Sequence, residues 1–231
     1  MQNRKKFICI LISVVLLIFI LSELCLPALA AGFLKKLFYD KADSIDDIKV
    51  EIRTFPALKI LSGKVDQLEL ETEGLLVNNL YVKEIRLSYQ DIILKKNGFS
   101  GINTLLEAII TEEAINNYFR AEYGVLKDFQ LKISPEKIIL LGKIEFLSMF
   151  FNVQLSGNLV LNDNKDIYFV PVHFQIENLN IPVNVLKRYI EGFDFSFSIK
   201  ELGIPLDISS IRVDHGFIVI SGGKSRIYEQ F

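Results

Sequence analysis

The chain offers only two histidines, His173 and His215, for acid–base or metal chemistry. Neither belongs to an H-x-H or H-x-x-x-H pair, whereas histidine ligands normally occur in clusters with other ligand residues. Asp214 beside His215 could form a dyad, but an aspartate and a glycine flanking this position are typical of a hairpin turn. We therefore expect a strand position for His173 and a hairpin tip for His215, both with structural roles.

Two other segments could bind charged groups. Asp43, Asp46 and Asp47 could attract a cation, but they lack the glycine and the distal glutamate of a calcium loop, so we expect a solvated loop. The segment from Ser221 to Lys224 lacks the preceding glycine of a phosphate loop, and no G-x-S-x-G elbow is present. The sequence therefore predicts a protein that is not an enzyme and that uses no metal or cofactor.

Aromatic content is the more unusual feature, with 18 phenylalanines and no tryptophan. Most of these rings are expected in the core, since each buried aromatic side chain removes roughly 150–250 Å² from water. The alternative is an apolar cavity or groove for an apolar ligand, with a few polar groups at its mouth. The candidate lining residues lie on period-two strand faces and on one helix face: Ile115, Tyr118, Phe119, Phe151, Val153, Leu155, Phe174, Ile176, Phe193, Phe195, Phe197 and Ile199.

The N-terminus has the pattern of an export signal. Arg4, Lys5 and Lys6 precede the apolar run 7–21, and Ala28-Leu29-Ala30 offers a cleavage site. The pattern favours a cleaved signal peptide, but the 25 residues from 7 to 31 are also long enough for a single-span anchor. In both cases the remainder is expected outside the cytoplasm, secreted or anchored at the outer face of the plasma membrane.

The net charge argues against a nucleic-acid partner. Three basic residues and one acidic residue lie within 1–31, so the remainder carries 23 basic and 27 acidic side chains. A nucleic-acid-binding surface needs a basic stripe, which this balance does not supply.

Elements follow from the hydrophobic periodicity. Alternating segments predict many antiparallel strands, and Asn78-Asn79 predicts a turn. Apolar residues at i, i+3, i+4, i+7 and i+8 over 102–110 predict a helix, and Thr111 can cap a second helix that carries Ile115 and Phe119. Pro182 can begin another short helix. The sum is an α+β fold. The expected division is a signal or anchor over 1–31, a short amphipathic segment and linker over 32–47, one domain over 48–223 and a tail over 224–231.

Six segments share a pattern of apolar, proline and glycine positions: Val50-Glu51-Ile52, Phe55 to Gly63, the acidic strand Val65 to Glu71, Thr111 to Phe119, Gly157 to Leu161, and Gly203 to Gly222. In this pattern, from about Ile48 to Gly222, the chain resembles the LmeA-like phospholipid-binding family.

The resemblance implies a tubular lipid-binding fold, in which a long, strongly curved antiparallel sheet wraps around one or two amphipathic helices. Acyl chains would lie in the gap, so the expected partners are a phospholipid or other envelope lipid and the outer surface of the plasma membrane. The implied function is the holding or shuttling of lipid in the cell envelope. Two alternatives remain: a structural or protein-interaction module of the envelope, and an enzyme acting on envelope lipids.

Overall fold

The computed structural model describes residues 2–95, 98–122, 129–135, 137–146, 148–161, 167–177, 179–182, 196–197, 208–223 and 225–230. Within these ranges the chain forms two α-helices, one 3₁₀ helix and thirteen strands. In chain order they are α1 (Gln2–Lys41), β1 (Ser44–Arg53), the 3₁₀ helix (Ala57–Ser62), β2 (Lys64–Val77), β3 (Leu80–Lys95), β4 (Gly98–Thr111), α2 (Glu112–Glu122), β5 (Gln130–Ser134), β6 (Lys137–Phe146), β7 (Met149–Leu161), β8 (Ile167–Ile176), β9 (Leu179–Ile181), β10 (Ser196–Phe197), β11 (Ile208–Asp214), β12 (Phe217–Gly222) and β13 (Ser225–Gln230).

The α+β prediction is confirmed, but the strands form two open antiparallel sheets in place of one. The large sheet has the order β1-β2-β3-β4-β12-β11, with β13 also paired to β4. The small sheet has the order β10-β8-β7-β6-β5, with β9 paired to β8. The chain passes from the large sheet to the small sheet through α2, which directly follows β4.

Alternation along each strand gives the large sheet an apolar inner face. Val50, Leu70, Leu87 and Leu106 lie side by side across four strands and are all buried. The outer face is charged, with Arg86 paired to glutamates of its own strand and of both neighbouring strands. Such exposed pairs contribute about 0–1 kcal/mol each, so burial of the inner face is the main stabilising term.

The predicted helix over 102–110 is wrong, because this segment lies in β4. The same residues also satisfy a period of two, with Leu106, Ala108 and Ile110 buried on the inner face. Leu105 and Ile109 point to the other side and are less buried, although they are equally apolar. Both faces of β4 therefore carry apolar residues, and the resulting run coincides with a helical spacing. Pairing with β3 on one side and with β12 on the other holds this segment as a strand.

The N-terminal helix is longer than the expected apolar run. α1 continues without interruption from Gln2 to Lys41 and includes residues 32–41 of the expected amphipathic segment and linker over 32–47. Residues 7–21 are exposed nearly throughout, whereas one face of the remainder, including Leu34 and Phe38, packs on the core beside β1.

The structure contradicts one predicted loop, confirms one predicted turn and places most of the predicted tail in a strand. Asp46 and Asp47 lie within β1, so the loop expected there is wrong at these two residues. The turn at Asn78-Asn79 is confirmed, since both residues have positive φ between β2 and β3. Most of the expected tail, Ser225–Gln230, forms β13. The helix expected after Pro182 lies outside the described residues.

Helix α2 joins the two sheets through hydrogen bonds to β5, the edge strand of the small sheet. Asn116 accepts the Leu131 backbone N–H and donates to the Leu131 carbonyl, both at 2.8 Å. Glu112 Oε2 accepts the Ile133 N–H at 2.7 Å. The Gly216 N–H, at the β11–β12 turn, donates to the Ile133 carbonyl at 3.1 Å, and the Gly216 carbonyl accepts the Glu112 N–H at 2.8 Å. The edge of β5 is therefore closed by α2 and by a hairpin of the large sheet.

The spacing of the two elements explains this fit. Four residues of helix rise about 6 Å, and two residues of strand rise about 6.6 Å. Side chains at i and i+4 of α2 can therefore pair with backbone groups at i and i+2 of β5, which is the arrangement of Glu112 and Asn116 opposite Ile133 and Leu131.

We predict that Asn116→Ala lowers the free energy of unfolding by about 1–3 kcal/mol, because two backbone groups of Leu131 lose their partner in a partly buried site. The matched control is Asn117→Ala, since Asn117 is exposed and bonds Arg120 of the same helix. Both changes alter helix propensity equally. The difference between their free energies of unfolding therefore reports the hydrogen bonds between Asn116 and β5. Chemical unfolding of the full chain in mild detergent measures it, and equal stabilities would contradict this role of Asn116.

The turn after β1 is held by Asp66. Its carboxylate accepts the Phe55 backbone N–H at 3.0 Å and the Lys59 ammonium at 3.0 Å, while its own N–H donates to Thr54 Oγ1. The Phe55 hydrogen bond and then Lys59 hold the pKa of Asp66 below its ordinary value. The ionised form is therefore more favourable in the folded than in the unfolded chain.

A lowered pKa means that the stabilisation by Asp66 is present above the unfolded pKa and is lost as pH falls through the folded pKa. We predict that Asp66→Asn lowers the unfolding midpoint at pH 7 and that its difference from wild type disappears in strong acid. Thermal unfolding across this pH range measures the difference. Asp91→Asn is the control for the loss of one negative charge, because Asp91 is exposed in β3 and asparagine suits its positive φ of 51°. A gap between Asp66→Asn and wild type that stays constant into strong acid would argue against this linkage.

Candidate functional site

The inner face of the small sheet collects many of the apolar residues singled out in the sequence. Leu155 lies between Leu140 and Phe174, and Val153 lies beside Ile176. Residues directly opposite each other in neighbouring strands share a face, so these side chains form one apolar surface. Val153 and Leu155 are buried, and Phe174 and Ile176 are half-buried.

Helix α2 packs against this face and leaves a partly open apolar cavity of about 30 Å³ between them. The cavity is lined by Ile115 and Phe119 from the helix and by residues of four strands: Leu131, Ile138, Leu140, Leu159 and Phe169. Ala114 and Ile115 also belong to the core cluster shared with the large sheet. Helix α2 therefore makes apolar contacts with both sheets.

Two of the predicted lining residues, Ile115 and Phe119, therefore lie at the cavity wall. Tyr118 is adjacent, with its ring centroid 6.1 Å from that of Phe119, and packs on the core. Phe151 is half-buried, farther along the strand that carries Val153 and Leu155.

Of the four predicted lining residues between 193 and 199, the structure describes one. The backbone of Phe197, in β10, pairs with Ile167. Phe193, Phe195 and Ile199 fall outside the described residues.

The strand residues at the cavity wall were missed as site residues, although their alternation marks them as inward-facing. Leu131 and Leu159 belong to alternating segments, and Ile138 and Leu140 to a short apolar run. Phe169 was harder to place, because a register shift between Ser156 and Gly157 changes the phase of β8 against β7. The alternation in the sequence indicates which side of each strand faces the core. It does not indicate which of these residues α2 covers.

Gly157 makes room for one wall of this cavity. A Cβ built on Gly157 would lie 2.1 Å from the Val170 carbonyl oxygen and 2.9 Å from the ring of Phe169. A side chain there would displace the backbone of β8 and the Phe169 ring. Glycine at this position therefore permits the close approach of β7 and β8 beside the cavity.

The described lining of the cavity is apolar and carries no titratable side chain. His215 is exposed at the β11–β12 turn, where its backbone N–H donates to Asp214 Oδ1 at 2.8 Å. This geometry confirms the predicted hairpin tip. His173 lies in β8 and is exposed, which confirms the predicted strand position. Over the described ranges, no group of three or more histidines, cysteines or carboxylates is close enough to hold a metal ion.

Comparison with known proteins identifies the family of this chain. The model of the LmeA-like phospholipid-binding family matches residues 22–223, which is most of the chain and includes α2 and every described strand except β13. No curated protein and no solved structure matches. The apolar surface between α2 and the small sheet agrees with the lipid chemistry that the family description names, and the extent of the match shows that this chain belongs to the LmeA-like phospholipid-binding family.

Proposed function

We propose that this protein binds phospholipid outside the cytoplasm by holding acyl chains between α2 and the small sheet. The observation that carries the proposal is the apolar cavity at that contact, in a chain whose family binds phospholipid. The basic N-terminus followed by an apolar helix supports export or anchoring. The role would be to hold or shuttle lipid in the cell envelope, without catalysis.

The size of the cavity sets a physical condition on this function. Its volume of about 30 Å³ is far below the roughly 300–1,000 Å³ of ordinary ligand pockets. A bound acyl chain therefore requires α2 and the small sheet to separate. Along β5 the helix is held by the hydrogen bonds of Glu112 and Asn116, whereas over β7 and β8 the contact is apolar.

We propose that the hydrogen-bonded edge acts as the hinge and that the apolar contact opens into a groove. Hydrocarbon can replace the contacts of Ile115 and Phe119 with the sheet at little net cost, because one apolar surface replaces another. Each acyl CH₂ removed from water contributes about 0.8 kcal/mol, so two chains can be held without a buried charge. The head group would stay in water at the mouth of the groove.

The small cavity also favours a second candidate function. A solid apolar core between α2 and the small sheet would suit a structural or protein-interaction module of the cell envelope. Such a module would retain no lipid after purification, whereas a lipid-binding protein would. Mass spectrometry of lipid extracted from the purified full chain distinguishes the two.

We predict that Leu159→Trp reduces the lipid that copurifies with the chain several-fold, because the larger side chain fills the space at the cavity wall. Val160→Trp is the matched control, since Val160 is the next residue in β7 but lies on the exposed face. The unfolding midpoint of each variant is measured in the same preparations.

A lipid-filled groove predicts that Leu159→Trp loses lipid with little loss of stability. A solid core predicts that the same change overpacks it and costs about 1–3 kcal/mol. Destabilisation of this size, together with a wild-type chain that contains no lipid, would decide for the structural module.

We also predict that a double variant, His173→Gln with His215→Gln, retains lipid and behaves in cells as the wild-type protein does. Both side chains are exposed and neither lies at the cavity. The proposal that the protein is not an enzyme fails if this variant folds and retains lipid but behaves in cells as a deletion.

A further inference from the structure

Five large apolar side chains are exposed where the 3₁₀ helix meets the end of β3. Their exposure lies between 44% and 72%, and they are Phe55, Leu58, Leu61, Ile93 and Leu94, here called the apolar rim. Soluble surfaces carry single exposed apolar side chains, but a contiguous group marks an interaction surface.

The backbone holds this rim in one shape. Gly63 ends the 3₁₀ helix in the left-handed region, at φ 75°, with its N–H bonded to the Ile60 carbonyl. Its own carbonyl accepts the Leu94 N–H at 2.7 Å, which ties the end of β3 to the 3₁₀ helix. Asp66 fixes Phe55 and Lys59 from the other side. The exposed side chains are therefore displayed by an ordered scaffold.

The rim is continuous with α1. The rings of Phe19 and Phe55 meet edge to face, with their centroids 6.3 Å apart. One turn farther along α1, Glu23 Oε1 accepts the backbone N–H of Ala57, the first residue of the 3₁₀ helix, at 2.9 Å. The apolar half of α1 thus leaves the domain at the rim.

The position of Phe19 along α1 fixes the depth of this contact. An α-helix needs about 20 residues to cross a hydrocarbon core of about 30 Å. If the crossing begins at Phe7, it reaches about Leu26, which places Phe19 roughly 10 Å inside the outer boundary of the hydrocarbon, within the outer leaflet. Phe55, in contact with Phe19, must then lie at the membrane as well.

We infer that α1 remains attached as a single-span anchor and that the apolar rim inserts into the outer leaflet of the same bilayer. Cleavage after Ala30 would remove both Phe19 and Glu23, leaving the Ala57 N–H and the Phe55 ring without these partners. The family match, which begins at residue 22, includes the helical segment that carries Glu23.

The inserted rim fixes the orientation of the domain. From Glu23 to Lys41, α1 runs beside β1 for about 27 Å at 1.5 Å per residue. The turn at Asn78-Asn79, close to the end of α1, therefore points away from the bilayer. This orientation does not depend on whether lipid is held between α2 and the small sheet, so the two proposals can fail separately.

A fluorescence experiment on the full chain tests this inference. In a Cys9→Ser, Cys25→Ser background, Leu61→Cys carries an environment-sensitive nitrobenzoxadiazole group in vesicles of phosphatidylcholine and phosphatidylglycerol. The matched control is Lys83→Cys, exposed in β3 near the Asn78-Asn79 turn. We expect the Leu61 label to be quenched several-fold more by nitroxide-labelled phosphatidylcholine than the Lys83 label, and the intact mass to include residues 1–30.

Three results would overturn the inference. Equal weak quenching at both positions would leave the rim in water. A label at position 61 that is shielded from water but not quenched by lipid would indicate a second copy of the chain on the rim. A membrane-extracted mass that lacks residues 1–30 would show that the anchor is removed. Copurifying lipid, measured in the same samples, reports the proposed cargo site independently.

Discussion

The hydrogen bonds between α2 and the edge of β5 are the constraint on which the rest of the domain depends. An unpaired strand edge buried beside a helix would leave backbone groups unsatisfied, and each such group costs about 1–3 kcal/mol. Asn116 and Glu112 satisfy three of these groups, and Gly216 satisfies a fourth. Because Gly216 belongs to a hairpin of the large sheet, the same contact fixes the position of one sheet against the other.

The hydrogen-bonded contact between α2 and β5 also determines where the apolar side chains meet. Ile115 and Phe119 are on the same helix as Glu112 and Asn116. Because those two residues fix the helix to the edge of β5, Ile115 and Phe119 lie over β6, β7 and β8. A helix held by polar contacts at one side and by apolar contacts at the other has two unequal attachments. Hydrogen bonds are directional and require their own partners, whereas apolar contacts accept any hydrocarbon. The asymmetry is what makes an opening toward the apolar side physically reasonable for a lipid-binding domain.

The local features of this fold were readable in the sequence, and the long-range ones were not. Alternation identified most strands, and the cap of α2 was correct, since Thr111 Oγ1 accepts the Ala114 N–H at 3.2 Å. The segment 102–110 was misread because its apolar residues fit both periods, and only its two neighbouring strands decide between them. The partner of Asn116 is a backbone amide fifteen residues away, and nothing in the residue types specifies that pairing. For the same reason the sequence identified the helix side of the cavity but not its strand side.

Charge explains why the membrane attachment inferred above must rest on apolar area. After residue 31 the chain has four more acidic than basic side chains, so bulk electrostatics does not draw the domain to an anionic bilayer. At the rim, the ammonium of Lys59 is already paired with Asp66. The features of α1 and of the rim that suit a bilayer are the apolar length of α1 and the exposed apolar side chains of the 3₁₀ helix and β3. Because hydrophobic burial is not screened by salt, attachment of this kind holds at ionic strengths that release proteins bound through basic patches.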